Sequence, residues 1–169
     1  MKKLFAILAL CLTIGTAANA QWYLGGSAGI GTADRNFAFT LSPMAGYEFN
    51  DMMAVQAGLG VITTNYFGTH GTAQAWFRFT PWNNGTVYID LLAGGDLIFD
   101  DYADIACIGI RPQLRFRVHP QVDFSATVGL LGTVYNPSYG WAFACGVAGL
   151  STHTTSFMDD ISLNVVYRF

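Results

Sequence analysis

Between residues 108 and 118 the chain alternates without a break. Ile108, Ile110, Pro112, Leu114, Phe116 and Val118 share one face of an extended strand, while Gly109, Arg111, Gln113, Arg115 and Arg117 share the other. Successive side chains of a strand point to opposite sides of its sheet, so this period demands a two-faced strand and excludes a helix. The last nine residues repeat it, with Ile161, Leu163, Val165, Tyr167 and Phe169 set against Ser162, Asn164, Val166 and Arg168. The same pattern predicts strands over 21–32, 37–49, 53–64, 72–82, 86–98, 105–118, 122–135 and 160–169. The expected fold class is therefore all-β.

Strong turn formers follow alternate strands: Asn50-Asp51, Asn83-Asn84-Gly85 and His119-Pro120. The other connections, 33–36, 65–71, 99–104 and 136–159, tend to be longer. Short turns at one end and longer loops at the other describe an antiparallel up-and-down barrel, here of eight strands. Pro43 and Pro112 fall inside strands, where each removes a ladder donor, so bulges are expected at both. Trp141–Leu150 also reads as strand, either extending the wall or forming the upper part of a broken eighth strand, and ten strands remain the alternative.

Composition bears on what surrounds such a barrel. Hydrophobic residues make up 52% of the chain and charged residues 11%, against roughly 25% charged in a soluble domain. The only lysines are Lys2 and Lys3, whereas soluble surfaces depend on charge of both signs. Lys2-Lys3, the apolar run Leu4–Leu12 and Ala18-Asn19-Ala20 before Gln21 read as a cleavable export signal over 1–20, leaving 21–169 as the barrel. The net charge of −3 becomes two units more negative without those lysines, which argues against nucleic acid as a partner.

After residue 20 no apolar run reaches the roughly 18 residues of a membrane helix. A barrel reconciles an apolar chain with that lack, because it pairs every backbone group between strands while showing lipid one apolar face. The polar face is rich in tiny residues, Gly25, Ser27, Gly29, Gly31, Ala54, Gly58 and Gly60, which make room for long side chains opposite. Aromatics gather at both strand ends. Trp22, Tyr47, Phe49, Phe79, Trp82, Phe116, Phe124, Tyr167 and Phe169 lie near the short turns. Phe37, Phe39, Tyr66, Phe67, Phe99, Tyr102, Tyr135, Tyr139 and Trp141 lie near the long loops. Two such belts are the mark of a bilayer.

The closing Tyr167-Arg168-Phe169 resembles the C-terminal signal read by the barrel-insertion machinery, with Tyr167 and Phe169 as its aromatic pair. Together with Gln21-Trp22-Tyr23-Leu24-Gly25-Gly26-Ser27, Pro43-Met44-Ala45-Gly46-Tyr47 and Val166-Tyr167-Arg168-Phe169, the chain resembles the small OmpA/OmpX-like eight-stranded outer-membrane barrels of Bacteroides-type Gram-negatives. The likeness covers essentially all of 21–169. It implies a transmembrane barrel in a bacterial outer membrane, in contact with lipid and lipopolysaccharide, and names no single activity.

With the apolar set outward, the inward set holds Glu48, Asp90, Asp96 and Asp123 with Arg78, Arg111, Arg115, Arg117 and Arg168. Turn positions set approximate register and predict two clusters, Arg78–Asp90–Arg111/Arg115 and Arg117–Asp123–Arg168. Buried charges persist when paired, and arginine pairs best. An eight-stranded interior is just wide enough for side chains to fill, so the charges should plug it.

Catalysis finds no constellation. His70 and His153 have neighbouring hydroxyls, but they sit in polar loops, and His153-Thr154-Thr155 departs from the deacylase-barrel pattern His-x-Ser-Asn. Asp100, Asp101 and Asp104 match no calcium-loop spacing, so neither metal nor cofactor is expected. Cys107 and Cys145 are a candidate disulfide in an oxidising compartment. The expected role is non-enzymatic, structural or interactive through 65–71 and 136–159, where Tyr66, Phe67, Tyr135, Tyr139, Trp141 and Phe157 are candidate contacts for a surface ligand. A narrow channel and a lipid-modifying enzyme are the alternatives.

Overall fold

A computed structural model describes residues 21–33, 36–64, 68–99, 105–136, 140–146 and 158–169. Those residues form ten β-segments: β1 Gln21–Ala33, β2 Asn36–Asn50, β3 Met53–Thr64, β4 Gly68–Asn83, β5 Val87–Phe99, β6 Ile105–His119, β7 Val122–Val128, β8 Leu130–Asn136, β9 Gly140–Gly146 and β10 Met158–Arg168. All pairings are antiparallel. The wall runs β5-β4-β3-β2-β1-β10-β7-β6, and the β5–β6 pairing closes it.

The result is a closed barrel eight strands round. Ten segments make eight wall strands because the last two are broken. β7 and β8 pair with the same strand, β6, and are separated at Gly129, whose φ of +68° favours glycine. Across from them, β10 pairs with β7 and β9 with β8. The strand-like stretch beginning at Trp141 is thus the upper part of a broken eighth strand.

No register shift accompanies Pro43, against the bulge expected there, whereas at Pro112 three steps along β6 face four along the opposing β7–β8 strand. Pro43 pairs with Gly26 in unbroken register with β1. Pro112 pairs with Leu91, and it stands where β6 exchanges β8 for β7, since β6 pairs with β8 up to Ile110 and with β7 from Gln113. Its missing donor therefore falls at a gap already present. A further shift lies in the β1–β10 pairing between Ile30 and Thr32, and three more lie beside the short turns, between Glu48 and Asn50, Phe79 and Trp82, and Arg117 and His119. Face-keeping explains these three: a one-residue slip would turn a whole strand inside out, so the register that each turn starts must be corrected before the apolar face begins.

Asparagines build two of these turns. Asn50 Oδ1 accepts from the Met52 and Met53 amides at 2.9 Å each, and Asn84 Oδ1 from Thr86 and Val87 at 3.1 and 2.7 Å. At the third, the Gln121 amide donates to His119 Nδ1 at 3.3 Å.

The two faces separate cleanly. Leu59 and Leu163 point away from the barrel axis at 69% and 63% exposure, whereas Arg168 and Asp90 are buried inside at 1% and 0%. Small residues make the inner wall passable. At Gly46 an added Cβ would collide with the Tyr23 ring, which lies across that position. At Gly94 a Cβ would collide with the Ala75 carbonyl oxygen and with Trp76 Cα, backbone that cannot step aside. Gly94→Ala is therefore expected to lose about 1–3 kcal/mol to overpacking, measured as a lower urea midpoint. Gly71→Ala, whose Cβ would lie 3.5 Å from Phe99 Cδ2, should leave the midpoint unchanged.

Candidate functional site

The inner face of the lower barrel carries one continuous lattice of ions rather than two clusters. At its centre Arg168, on β10, binds Glu48 through Nε at 2.8 Å and Nη2 at 3.1 Å, and it binds Asp123 through Nη1 at 2.7 Å and again through Nη2. Asp123 also accepts from Arg115 Nη1 at 2.9 Å and Arg117 Nε at 3.4 Å. Arg115 continues to Asp90 through Nε at 2.6 Å and Nη2 at 3.2 Å. Thr80 Oγ1 donates to Asp90 at 2.6 Å. Arg78 pairs with Glu48 at the other end.

The structure brings three of the expected residues together. Arg117 stands directly across from Asp123 in the β6–β7 register, and Arg168 reaches Asp123 from β10. Arg78 does not meet Asp90. The shift between Phe79 and Trp82 sets Arg78 opposite Leu92, which leaves Asp90 to Thr80 and Arg115. Arg78 turns the other way, because Ala54 is its cross-strand neighbour on β3 and Glu48 is the next residue in that row. Ala54 is too short to obstruct it.

Arg111 is also placed differently. It pairs with Asp96, higher in the barrel, and lies 4.5 Å over the Trp76 ring. Trp76 Nε1 donates to the same carboxylate at 2.9 Å. Gly94 and Gly109 face each other in register, and a Cβ at either would run into the backbone of the strand on its other side. Aromatic rings back most of the other guanidinium groups. Tyr88 is flanked by Arg115 at 4.1 Å and Arg117 at 4.8 Å, and Tyr23 lies 5.8 Å from Arg78.

Glu48 as a hub and Asp96 as the partner of Arg111 are what strand-by-strand reading missed. The signal was available for Glu48: keeping β2 and β3 face-matched puts Glu48, Ala54 and Arg78 in one row. For Asp96 there was none, since its direct cross-strand neighbour is Cys107, not Arg111.

The disulfide expectation is overturned. Cys107 is a buried free thiol whose Sγ lies 3.9 Å from Asp96 Oδ2. Its cross-strand neighbour is Val134 on β8, whereas Cys145 on β9 pairs with Leu131. Two strand spacings of about 4.8 Å separate them, beyond the roughly 7 Å Cα limit for a bridge.

Tyr167 and Phe169 project outward at the short-turn end, in edge contact with centroids 5.4 Å apart. Trp22 and Tyr47 meet there at 5.0 Å, and Tyr135 and Trp141 meet at 5.2 Å toward the long-loop end. Tyr66, Phe67, Tyr139, Phe157, His153 and Asp100, Asp101 and Asp104 lie outside the described residues. Among the described residues no group of three or more His, Cys, Asp or Glu side chains is placed to hold a metal ion.

No family model matches the chain, and no curated protein matches it in sequence. In structure it is similar to a major outer membrane protein from Thermus thermophilus, at a TM-score of 0.52 and 13% identity, covering 90% of this chain and all of that one. The likeness is one of fold.

A buried charge stripped of its partner is strongly destabilising. Asp123→Ala, which strands parts of three arginines, is expected to lose about 3–5 kcal/mol. Glu48→Gln together with Arg78→Gln should cost less than the two single changes summed, because the pair leaves together. Urea unfolding followed by tryptophan fluorescence reads both.

Proposed function

We propose that this chain is an integral outer-membrane barrel, non-enzymatic, whose lumen is plugged by its own charged side chains and whose role is structural support or surface interaction through the long-loop end. One observation carries the reading: the barrel is inside out relative to a soluble protein. Leu24, Ile30, Leu41, Leu59, Ile108, Leu131 and Leu163 stand exposed around the wall, while Glu48, Arg78, Asp90, Arg115, Asp123 and Arg168 are buried within. Soluble monomers rarely leave apolar patches beyond a few hundred Å² uncovered. Hydrocarbon is the solvent that suits such a wall, and a closed cylinder leaves it no unpaired backbone edge.

Further support comes from the export signal read over 1–20, from Tyr167 and Phe169 as the insertion signal, from the aromatic pairs near each end, and from the outer-membrane origin of the Thermus protein of like fold. The OmpA/OmpX-like and Bacteroides-type kinship belongs to the same proposal. A plugged lumen leaves the loops and the outer wall as the working surfaces, with lipid, lipopolysaccharide and a surface ligand as partners.

Cell fractionation tests the location. The protein is expected in the outer-membrane fraction and as a compact band that shifts on boiling, whereas recovery as a detergent-free soluble protein sinks the proposal. A point substitution gives the sharper test: Leu163→Arg is expected to lower folding stability in lipid vesicles by about 2–4 kcal/mol if that position sits at the bilayer midplane. On a water-facing wall the same change would be nearly neutral.

A further inference from the structure

The lumen is not filled evenly. Above the lattice lies a cavity of about 50 Å³, room for about three to five waters at roughly 10–15 Å³ each. Ser42, Gln56, Gln74, Arg111 and Asn164 give it hydrogen-bonding walls. Ile62, Ile98, Ile105 and Val134 line it as well, and these come from the long-loop ends of their strands. With Ala38, Trp76, Leu92, Cys107 and Leu130 they belong to one contiguous cluster drawn from β2, β3, β4, β5, β6 and β8, each residue 6% exposed or less. The other buried apolar cluster of the inner face, Tyr23, Met44, Ala54 and Val166, contains no isoleucine or leucine, so the branched aliphatic side chains at the long-loop ends form a collar that sets that level apart from the ion lattice. Nothing in the ionic lattice requires it.

We infer that the lumen is closed twice, by structures of opposite chemistry: the ion lattice toward the short turns and the aliphatic collar toward the long loops, with a hydrated chamber between them. This deepens the plugged-lumen reading and rests on it. The lattice blocks by filling the bore with paired side chains. The collar blocks differently, since a narrow apolar constriction sheds water and offers an ion nothing in place of its hydration shell. The chamber between them binds water because its polar walls supply the several partners a buried water needs. Opening either closure alone exposes the chamber to one side and leaves the bore shut.

Trp76 reports on the chamber, which it lines while 3% exposed. The test uses the full barrel in lipid vesicles with Trp22, Trp82 and Trp141 changed to Phe, iodide on both sides, and conductance recorded in planar bilayers. Folding is checked by the boiling shift. With both closures intact, Trp76 should resist quenching and no conductance should appear. Ile62→Ser with Ile105→Ser is expected to raise quenching several-fold without conductance. Val134→Ser alone should raise it less and serves if the double variant does not fold. Glu48→Gln with Arg78→Gln should produce no conductance.

Outcomes against the inference are distinct. If the collar variants leave Trp76 as protected as before, the collar is not a closure. If the Glu48/Arg78 variant conducts while the unaltered barrel does not, the lattice is the sole closure and the second one is refuted. If the unaltered barrel itself conducts, the plugged-lumen reading fails and takes this inference with it.

Discussion

Arg168 ties the barrel where its first and last strands meet. β10 is the strand that completes the cylinder, lying between β1 and β7. Its last side chain grips Glu48 from β2 and Asp123 from β7. The backbone closes at the same place, where the Arg168 amide donates to the Gln121 carbonyl at 2.8 Å and the Phe169 amide to Trp22 at 3.2 Å. Strands distant in sequence are thus held both at the wall and across the bore. Antiparallel ladders give the wall its shape, and the lattice makes closing it favourable, because Arg168 meets Glu48 on β2 and Asp123 on β7 together only when β10 stands between β1 and β7.

That dependence explains the composition of the inner face. Long charged side chains cannot share a narrow bore unless their neighbours are small. Ala54 lets Arg78 reach Glu48, Gly46 receives the Tyr23 ring, and Gly94 and Gly109 let the backbone of neighbouring strands come close. The glycines that would weaken an ordinary strand here admit an aromatic ring or a close backbone approach. Aromatic rings then back guanidinium groups that carboxylates meet from other sides, so that the charges are held by geometry as well as by pairing.

The lumen is layered along its axis. The ion lattice occupies the short-turn half, a cavity of mixed lining that includes the Arg111–Asp96 pair follows, and aliphatic side chains gather toward the long loops. With the bore occupied in this way, the outer wall is the apolar surface that the described strands leave uncovered.

Much of this was legible in the residues. Period-two alternation placed all eight wall strands to within a few positions, and it determined which face carries arginine, because a strand's two sides are decided by parity alone. The Arg117–Asp123 neighbours followed from the short His119-Pro120 turn for the same local reason. What the sequence left open is whatever depends on register summed around a ring. The choice of Glu48 over Asp90 for Arg78, the reach of Arg111 to Asp96, the separation of Cys107 from Cys145 and the break at Gly129 all turn on one-residue shifts beside turns and on which strands finally become neighbours. Only the closed cylinder decides those, since a long, flexible arginine side chain can choose among partners on several strands, and its choice is made by where the wall brings them.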